Sequence, residues 1–170
     1  DVAETLIFNL ARGSSLHGLC SIPPTRVHER DDICIEIVRP LINSTRDEIE
    51  EYRAEKEIPY VNDSTNSDID YARNRIRHNI LPELEKINPG VIKNISRCTE
   101  MLRADDAYFA GESLYVACKA YDNGDYNVNI LKQQPYSVRS RTIARIIYEE
   151  SGVQPEKRHI DTVCYLIDAG

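Results

Sequence analysis

The chain has 170 residues, 41% of them apolar, and a formal net charge of −7. That is enough for one large core or two small domains and too apolar for a disordered chain. The charge argues against one uniformly basic nucleic-acid surface, no apolar run approaches the roughly eighteen residues of a membrane span, and nothing at the start reads as a signal peptide.

Val2, Ala3, Leu6, Ile7, Leu10 and Ala11 make an apolar stripe at helical spacing, with Asp1, Glu4, Thr5 and Arg12 on the polar side and Gly13 as terminator. The chain enters this helix so abruptly that it reads as part of a longer protein. Gly, Pro and Ser then punctuate a loop up to about residue 26. Ile33 to Val38 is β-rich and stops at Arg39-Pro40-Leu41, the pattern of a strand. Ser44 and Thr45 each precede an acid by three residues, Asp47 and Glu48, which predicts a capping box on a helix ending near Glu57.

A helix capped by Asp68 or Asp70 is expected through the arginine-rich stretch, to be kinked or stopped by Pro82. Asn88-Pro89-Gly90 is a break, after which Val91, Ile95, Cys98, Leu102 and Phe109 follow helical spacing to about Ala120. Tyr126, Val128 and Ile130 alternate as a short strand, and two further helices end at Gly152 and Gly170. The fold class expected is mainly α with a small α/β part. The boundary falls between Pro82 and Pro89, dividing residues 1–82, mixed α/β, from 83–170, mostly helical.

The chemistry concentrates in Arg73, Asn74, Arg75, Arg77 and His78. On a helix Arg73 and Arg77 lie one turn apart, with Asn74 and His78 as the adjoining stripe. Two guanidiniums so placed can fork onto phosphate or carboxylate, which a lysine cannot. The alternative is a solvated face paired to Asp63, Asp68 and Asp70. From Arg73 to Arg103 there are seven Lys/Arg against three Asp/Glu, a basic strip on an acidic protein.

Asp1 and Glu4, three apart at a helix start, can face one space and hold an ammonium group or share a magnesium ion, although first-turn acids are common without function. Arg12-Gly13-Ser14 and Gly18 offer a backbone loop for a phosphate, or simply a helix end. Arg139, Arg141, Arg145, Lys157 and Arg158 form a second basic group, for which a salt-bridged face is the default. The five cysteines (Cys20, Cys34, Cys98, Cys118 and Cys164) are odd in number, widely spaced and without C-x-x-C, so they read as reduced packing residues. With four scattered histidines, no metal site is read.

These strings, taken together, carry a resemblance. D-V-A-E-T is similar to the second half of H-x-x-D-D-x-x-E-T, and A-R-G-S-S-L-H-G-L-C-S-I-P-P to R-G-(S/T)-G-L-x-G-L-x-G-M-P-P. Arg39-Pro40-Leu41, D-S-T-N-S-D…Y-A-R-N-R-I-R-H, I-N-P-G-V and a tail through H-I-D-T-V follow in the same order. All are motifs of the bacterial tRNA(Ile)-lysidine synthase family of N-type ATP pyrophosphatases, and the resemblance covers essentially the whole chain.

It implies that residues 1–82 are the C-terminal part of a parallel-sheet ATP-pyrophosphatase domain and 83–170 a helical substrate- and tRNA-binding domain. The activity implied is an ATP-dependent, cytoplasmic ligase that adenylates the wobble cytidine of CAU-anticodon tRNA(Ile) at C2 and lets free lysine displace AMP. ATP is then a substrate, Mg2+ its expected companion, and tRNA and lysine the partners. The oligomeric state stays open, homodimer included. Carried over by residue, Asp1, Glu4 and Arg73 are catalytic, and Arg12, Asn74, Arg77 and His78 bind substrate or tRNA. The family's S-G-G-x-D-S loop for ATP is not in this sequence, so the ATP-binding residues are unassigned and the chain alone is expected to be inactive, with apolar surface exposed on an incomplete sheet. Ser15 and Ser21 stand where the family often has glycine. The rivals are a non-catalytic tRNA-binding helical module and a thiocytidine synthetase, the latter weakened by the missing C-x-x-C.

Overall fold

The computed structural model describes residues 1–30, 33–61 and 71–169. They divide into two compact units, Asp1–Arg103 and Ala104–Gly170. The described residues are mainly helical, with two small sheets, both two-stranded and antiparallel.

The first unit begins with helix α1 (Val2–Ala11), which buries Val2, Ala3 and Glu4. Only the first part of the expected stripe is inside: Ala3 and Ile7, joined by Phe8, pack with Ile76, Leu81, Leu84 and Ile95, whereas Leu10 is 63% exposed and Glu4, expected on the polar side, is buried. Burial of aliphatic side chains such as Ile76 and Leu81 contributes about 1.5–3 kcal/mol each. Gly13, at φ +76°, turns the chain out of α1. The next turn, α2 (Leu16–Leu19), needs Gly18 for a different reason, since a Cβ there would sit 2.7 Å from that of Ser14.

Strand β2 (Ile33–Val38) lies where expected, but its partner β1 (Thr25–Arg30) was not read from the sequence. The two pair antiparallel with Thr25 opposite Val38 and His28 opposite Ile35. Every residue of β2 is exposed, with Ile33 and Ile35 at 61% and 52%. The hairpin thus presents apolar surface on the same face, as residues two apart do in a strand.

Helix α3 (Arg46–Glu55) starts at the reciprocal cap, and Thr45 makes it. The Glu48 amide donates to Thr45 Oγ1 at 3.2 Å and the Thr45 amide to Glu48 Oε2 at 2.8 Å. Ser44, the other candidate, is instead part of a turn, its amide donating to the Leu41 carbonyl. The proposed caps Asp68 and Asp70, with Asp63, lie outside the described residues.

The arginine stretch forms α4 (Tyr71–Arg75), then a π-helical segment (Ile76–Ile80), then α5 (Leu81–Ile87). Pro82 therefore neither stops nor breaks this helix. Proline has no N–H to give the carbonyl four residues back, and its ring crowds that carbonyl. The backbone widens, and the Leu81 amide reaches five residues back to the Ile76 carbonyl. Helix α6 (Val91–Ala120) follows.

The second unit holds the end of α6, a two-residue hairpin, β3 (Tyr121–Asp122) with β4 (Asp125–Tyr126), and helices α7 (Val128–Lys132), α8 (Tyr136–Ser151) and α9 (Lys157–Ala169). Its core is Val116, Ala120, Leu131, Val138, Ile143, Cys164 and Ile167. The expected strand through Val128 and Ile130 is a correction, since only Asp125 and Tyr126 pair. Asn127 accepts the Asn129 amide at 3.0 Å and caps α7, which turns Leu131 into the core. Three alternating residues are too few to resist that.

The second basic group is largely an ion-paired face. Arg139 forks onto Asp168, Arg145 pairs with Glu149, Lys157 with Asp161 and Arg158 with Glu156. Arg141 instead lies 4.5 Å from the centre of the Phe109 ring. None of the five cysteines is in a disulfide, and only Cys20 and Cys164 are buried; Cys34, Cys98 and Cys118 are exposed and do not serve as packing residues.

Candidate functional site

One face of α1 and the helix running from α4 into the π segment enclose a pocket of about 220 Å³, lined by Asp1, Glu4, Thr5, Ile22, Arg73, Asn74 and Arg77. Glu4 is placed by the helix period, on the stripe that α1 buries, and is only 8% exposed. A carboxylate that deep needs a counter-charge. Arg77 supplies it as a fork: Nε donates to Glu4 Oε1 at 2.8 Å and Nη2 to Glu4 Oε2 at 2.9 Å. The same Nη2 reaches Asp1 Oδ1 at 3.3 Å.

The electrostatics follow. Burial pushes the Glu4 carboxyl up, but the Arg77 fork, aided by Arg73, overcomes this and holds it below the usual carboxylate range. Reciprocally, the bond to Glu4 raises Arg77 above its ordinary value. The pair is fixed and charged at neutral pH.

The opposite wall is held from a distance. Arg103, on α6, donates from Nε to the Cys20 carbonyl at 3.0 Å and from Nη2 to the Ile22 carbonyl at 2.8 Å. Ser21, at φ +58°, donates its hydroxyl to the Val2 carbonyl at 2.9 Å. Left-handed backbone at a non-glycine residue is costly and needs such anchoring. It also accounts for a family glycine at that position.

Of the residues chosen from the sequence, Asp1, Glu4, Arg73, Asn74 and Arg77 line this pocket together. Arg12 does not; its guanidinium lies 5.0 Å from the Phe8 ring centre and borders a separate groove. His78 is exposed and lines neither. Thr5, Ile22 and Arg103 were missed. Thr5 follows Glu4 on α1, but no local signal marks Arg103, which sits 81 residues from the carbonyl it holds.

Chemically the pocket combines a fixed carboxylate–guanidinium pair with further donors. Among the described residues Arg73 makes no ion pair, and its guanidinium lies 5.7 Å from the Phe8 ring centre. The described residues include no group of three His, Cys, Asp or Glu able to hold a metal ion. Both Glu4 oxygens are engaged by Arg77, so these side chains do not fit a resident cation.

Comparison with known proteins gives the chain its relatives. Residues 1–84 match the model of the PP-loop domain. The chain is 39% identical over 157 residues to the tRNA(Ile)-lysidine synthase of Solibacter usitatus, covering 89% of this chain and 34% of that protein. It is 32% identical over 176 residues to that of a Synechocystis strain, covering 99% and 53%, and 34% identical over 168 residues to that of Persephonella marina, covering 99% and 35%. The chain thus spans between about a third and about a half of the length of these relatives. It belongs, through its PP-loop domain and along nearly all of its length, to the family of the tRNA(Ile)-lysidine synthases.

Proposed function

We propose that the protein carrying this chain is a tRNA(Ile)-lysidine synthase. It uses ATP to adenylate C2 of the wobble cytidine of CAU-anticodon tRNA(Ile), and the side-chain amine of free lysine then displaces AMP. The observation that carries this is the single pocket in which Asp1 and Glu4 meet Arg73, Asn74 and Arg77. Glu4 is the anchor, holding Arg77 as a preset fork. Asp1 Oδ1 accepts only the longer bond from Arg77, which leaves this more exposed carboxylate for the ammonium of lysine. Arg73 and Asn74 meet the phosphate and the anion that develops as AMP leaves, the role for which preset donors are most effective. Mg2+ belongs in this scheme as the companion of the ATP phosphates, and no step here is routed through it.

In the same reading, residues 1–82 are the C-terminal part of a parallel-sheet ATP-pyrophosphatase domain, supported by the PP-loop match to residues 1–84. Residues 83–170 are the helical substrate- and tRNA-binding domain, acting in the cytoplasm. No helix among the described residues is long and apolar enough to cross a membrane. The test is incorporation of labelled lysine, with AMP release, by the full-length protein on a CAU-anticodon tRNA(Ile) transcript. Incorporation is expected to require ATP and cytidine at the wobble position. Equal incorporation into a transcript with uridine there, or none with a folded, ATP-binding enzyme, would overturn the assignment.

A further inference from the structure

A second concavity lies beside the first, on the other side of the same helix. It encloses about 470 Å³ and is lined by Phe8, Ala11, Arg12, Arg75, Ile76 and Ile80, with Ala72 and Asn79 completing the wall. That volume is within the roughly 300–1,000 Å³ of small-molecule sites. Its lining among the described residues is mostly apolar and includes no carboxylate, on a chain of net charge −7. Among the described residues its charges are two guanidiniums, of Arg12 and Arg75.

The cations gather on an aromatic ring. Arg12 and Arg73 both lie against the one ring of Phe8, at 5.0 and 5.7 Å from its centre. Arg75 lines the groove as well, and among the described residues Arg12, Arg73 and Arg75 form no ion pair. Like charges gathered around one ring repel each other, and an anion arriving between them relieves that. The apolar floor cannot be satisfied by a free anion, however. A ligand that fits both features has a flat aromatic part and a phosphate on the same unit.

We propose that this groove is a binding site for an unpaired nucleotide of RNA, its base against the Phe8–Ile76–Ile80 floor and its phosphate between Arg12 and Arg75. Single-stranded RNA is recognised in this way, by stacking on aromatic and guanidinium planes with cations along the backbone. The inference rests on the reading of the protein as a tRNA enzyme and adds a place where a loop nucleotide next to the reacting one is held. Arg73 borders both spaces: it lines the first pocket and touches the ring that floors the second.

The test measures binding of the full-length protein to a CAU-anticodon tRNA(Ile) transcript and to a fully paired RNA duplex, across a salt series. Arg75→Gln removes a cation from an exposed position, and Ala11→Trp fills the groove from an exposed one. Each is expected to weaken transcript binding by about tenfold, a typical loss for one stacked or phosphate-bound nucleotide. Duplex binding should change little. Arg75→Gln alone should lower the slope of log K against log salt by about 0.7. Unchanged transcript binding in both variants, or equal losses for transcript and duplex, would overturn the groove. If Ala11→Trp misfolds, Arg75→Gln decides. Wild-type lysine incorporation with normal binding by the variants removes the groove alone, whereas wild type that neither binds tRNA nor incorporates lysine removes the underlying assignment as well.

Discussion

Replacing Arg77 separates the fork from the charge. In Arg77→Lys one ammonium stands in for Nε and Nη2, so at most one of the two bonds to Glu4 (2.8 and 2.9 Å) survives. A hydrogen bond to a charged group is worth about 1.5–3 kcal/mol. The Arg77 side chain is 46% exposed, so solvent screening takes roughly half of that, leaving a cost of about 1 kcal/mol. Arg77→Met is worse, because it leaves Glu4, 8% exposed, charged and unpartnered; about 2–3 kcal/mol is expected at pH 7.

The two variants also differ in pH dependence. In the wild type Glu4 titrates below its unfolded value, so the contribution is full above the ordinary carboxylate range and fades as pH falls through the depressed pKa. In Arg77→Met, burial, the largest influence on Glu4, is no longer opposed by the fork but only by the weaker charge of Arg73, so the pKa rises and protonation relieves the defect. The gap between wild type and Arg77→Met should therefore narrow from pH 7 to about pH 4. Urea unfolding at the two pH values, followed by circular dichroism, reads this directly. An Arg77→Met cost that is the same at both, or an Arg77→Lys protein as stable as wild type, would refute the account of the pair.

Arg73→Lys in the full-length enzyme should keep the fold and lower turnover in the lysine-incorporation assay by at least tenfold, since it keeps the charge and loses the planar donor array; near-normal turnover would return Arg73 to the protein surface. The Arg139–Asp168 fork, with bonds of 2.7 and 2.9 Å, should respond asymmetrically. Asp168→Ala strands a guanidinium that is 10% exposed and should cost about 2–3 kcal/mol, while Arg139→Leu leaves a half-exposed carboxylate to water and should cost about 1; thermal melts that reverse this order would contradict it. Thr45→Ala removes the cap of α3 and should cost about 1 kcal/mol, with Thr45→Ser largely restoring it in the same melts.

What was legible in the sequence was what local physics decides. The stripe of α1, the cap at Thr45 and the breaks at Gly13, Pro89 and Gly152 depend on neighbours within a turn or two, and those elements lie close to where they were read. Strand β1 was hidden because Thr25-Arg26-Val27-His28 carries charge where strand patterns show apolar alternation, and only pairing with β2 makes it a strand. The candidate site was legible as a set of charged residues and not as a geometry. Nothing near Glu4 says that its partner is Arg77, seventy-three positions on.

The absorbed Pro82 makes the helix a phasing device. A regular α-helix advances about 100° per residue, so the π turn at Ile76–Ile80 delays by one position the angle at which Leu81 and everything after it emerges. Arg73 and Asn74 are set by the part before the delay, and the core anchors Leu81 and Leu84 by the part after it. Removing a single residue from this segment would straighten the helix and swing either the arginines or the leucines to the wrong side. The spacing between them is thus as much a determinant of the pocket as the residues themselves, and length variation here should be far less tolerable than substitution.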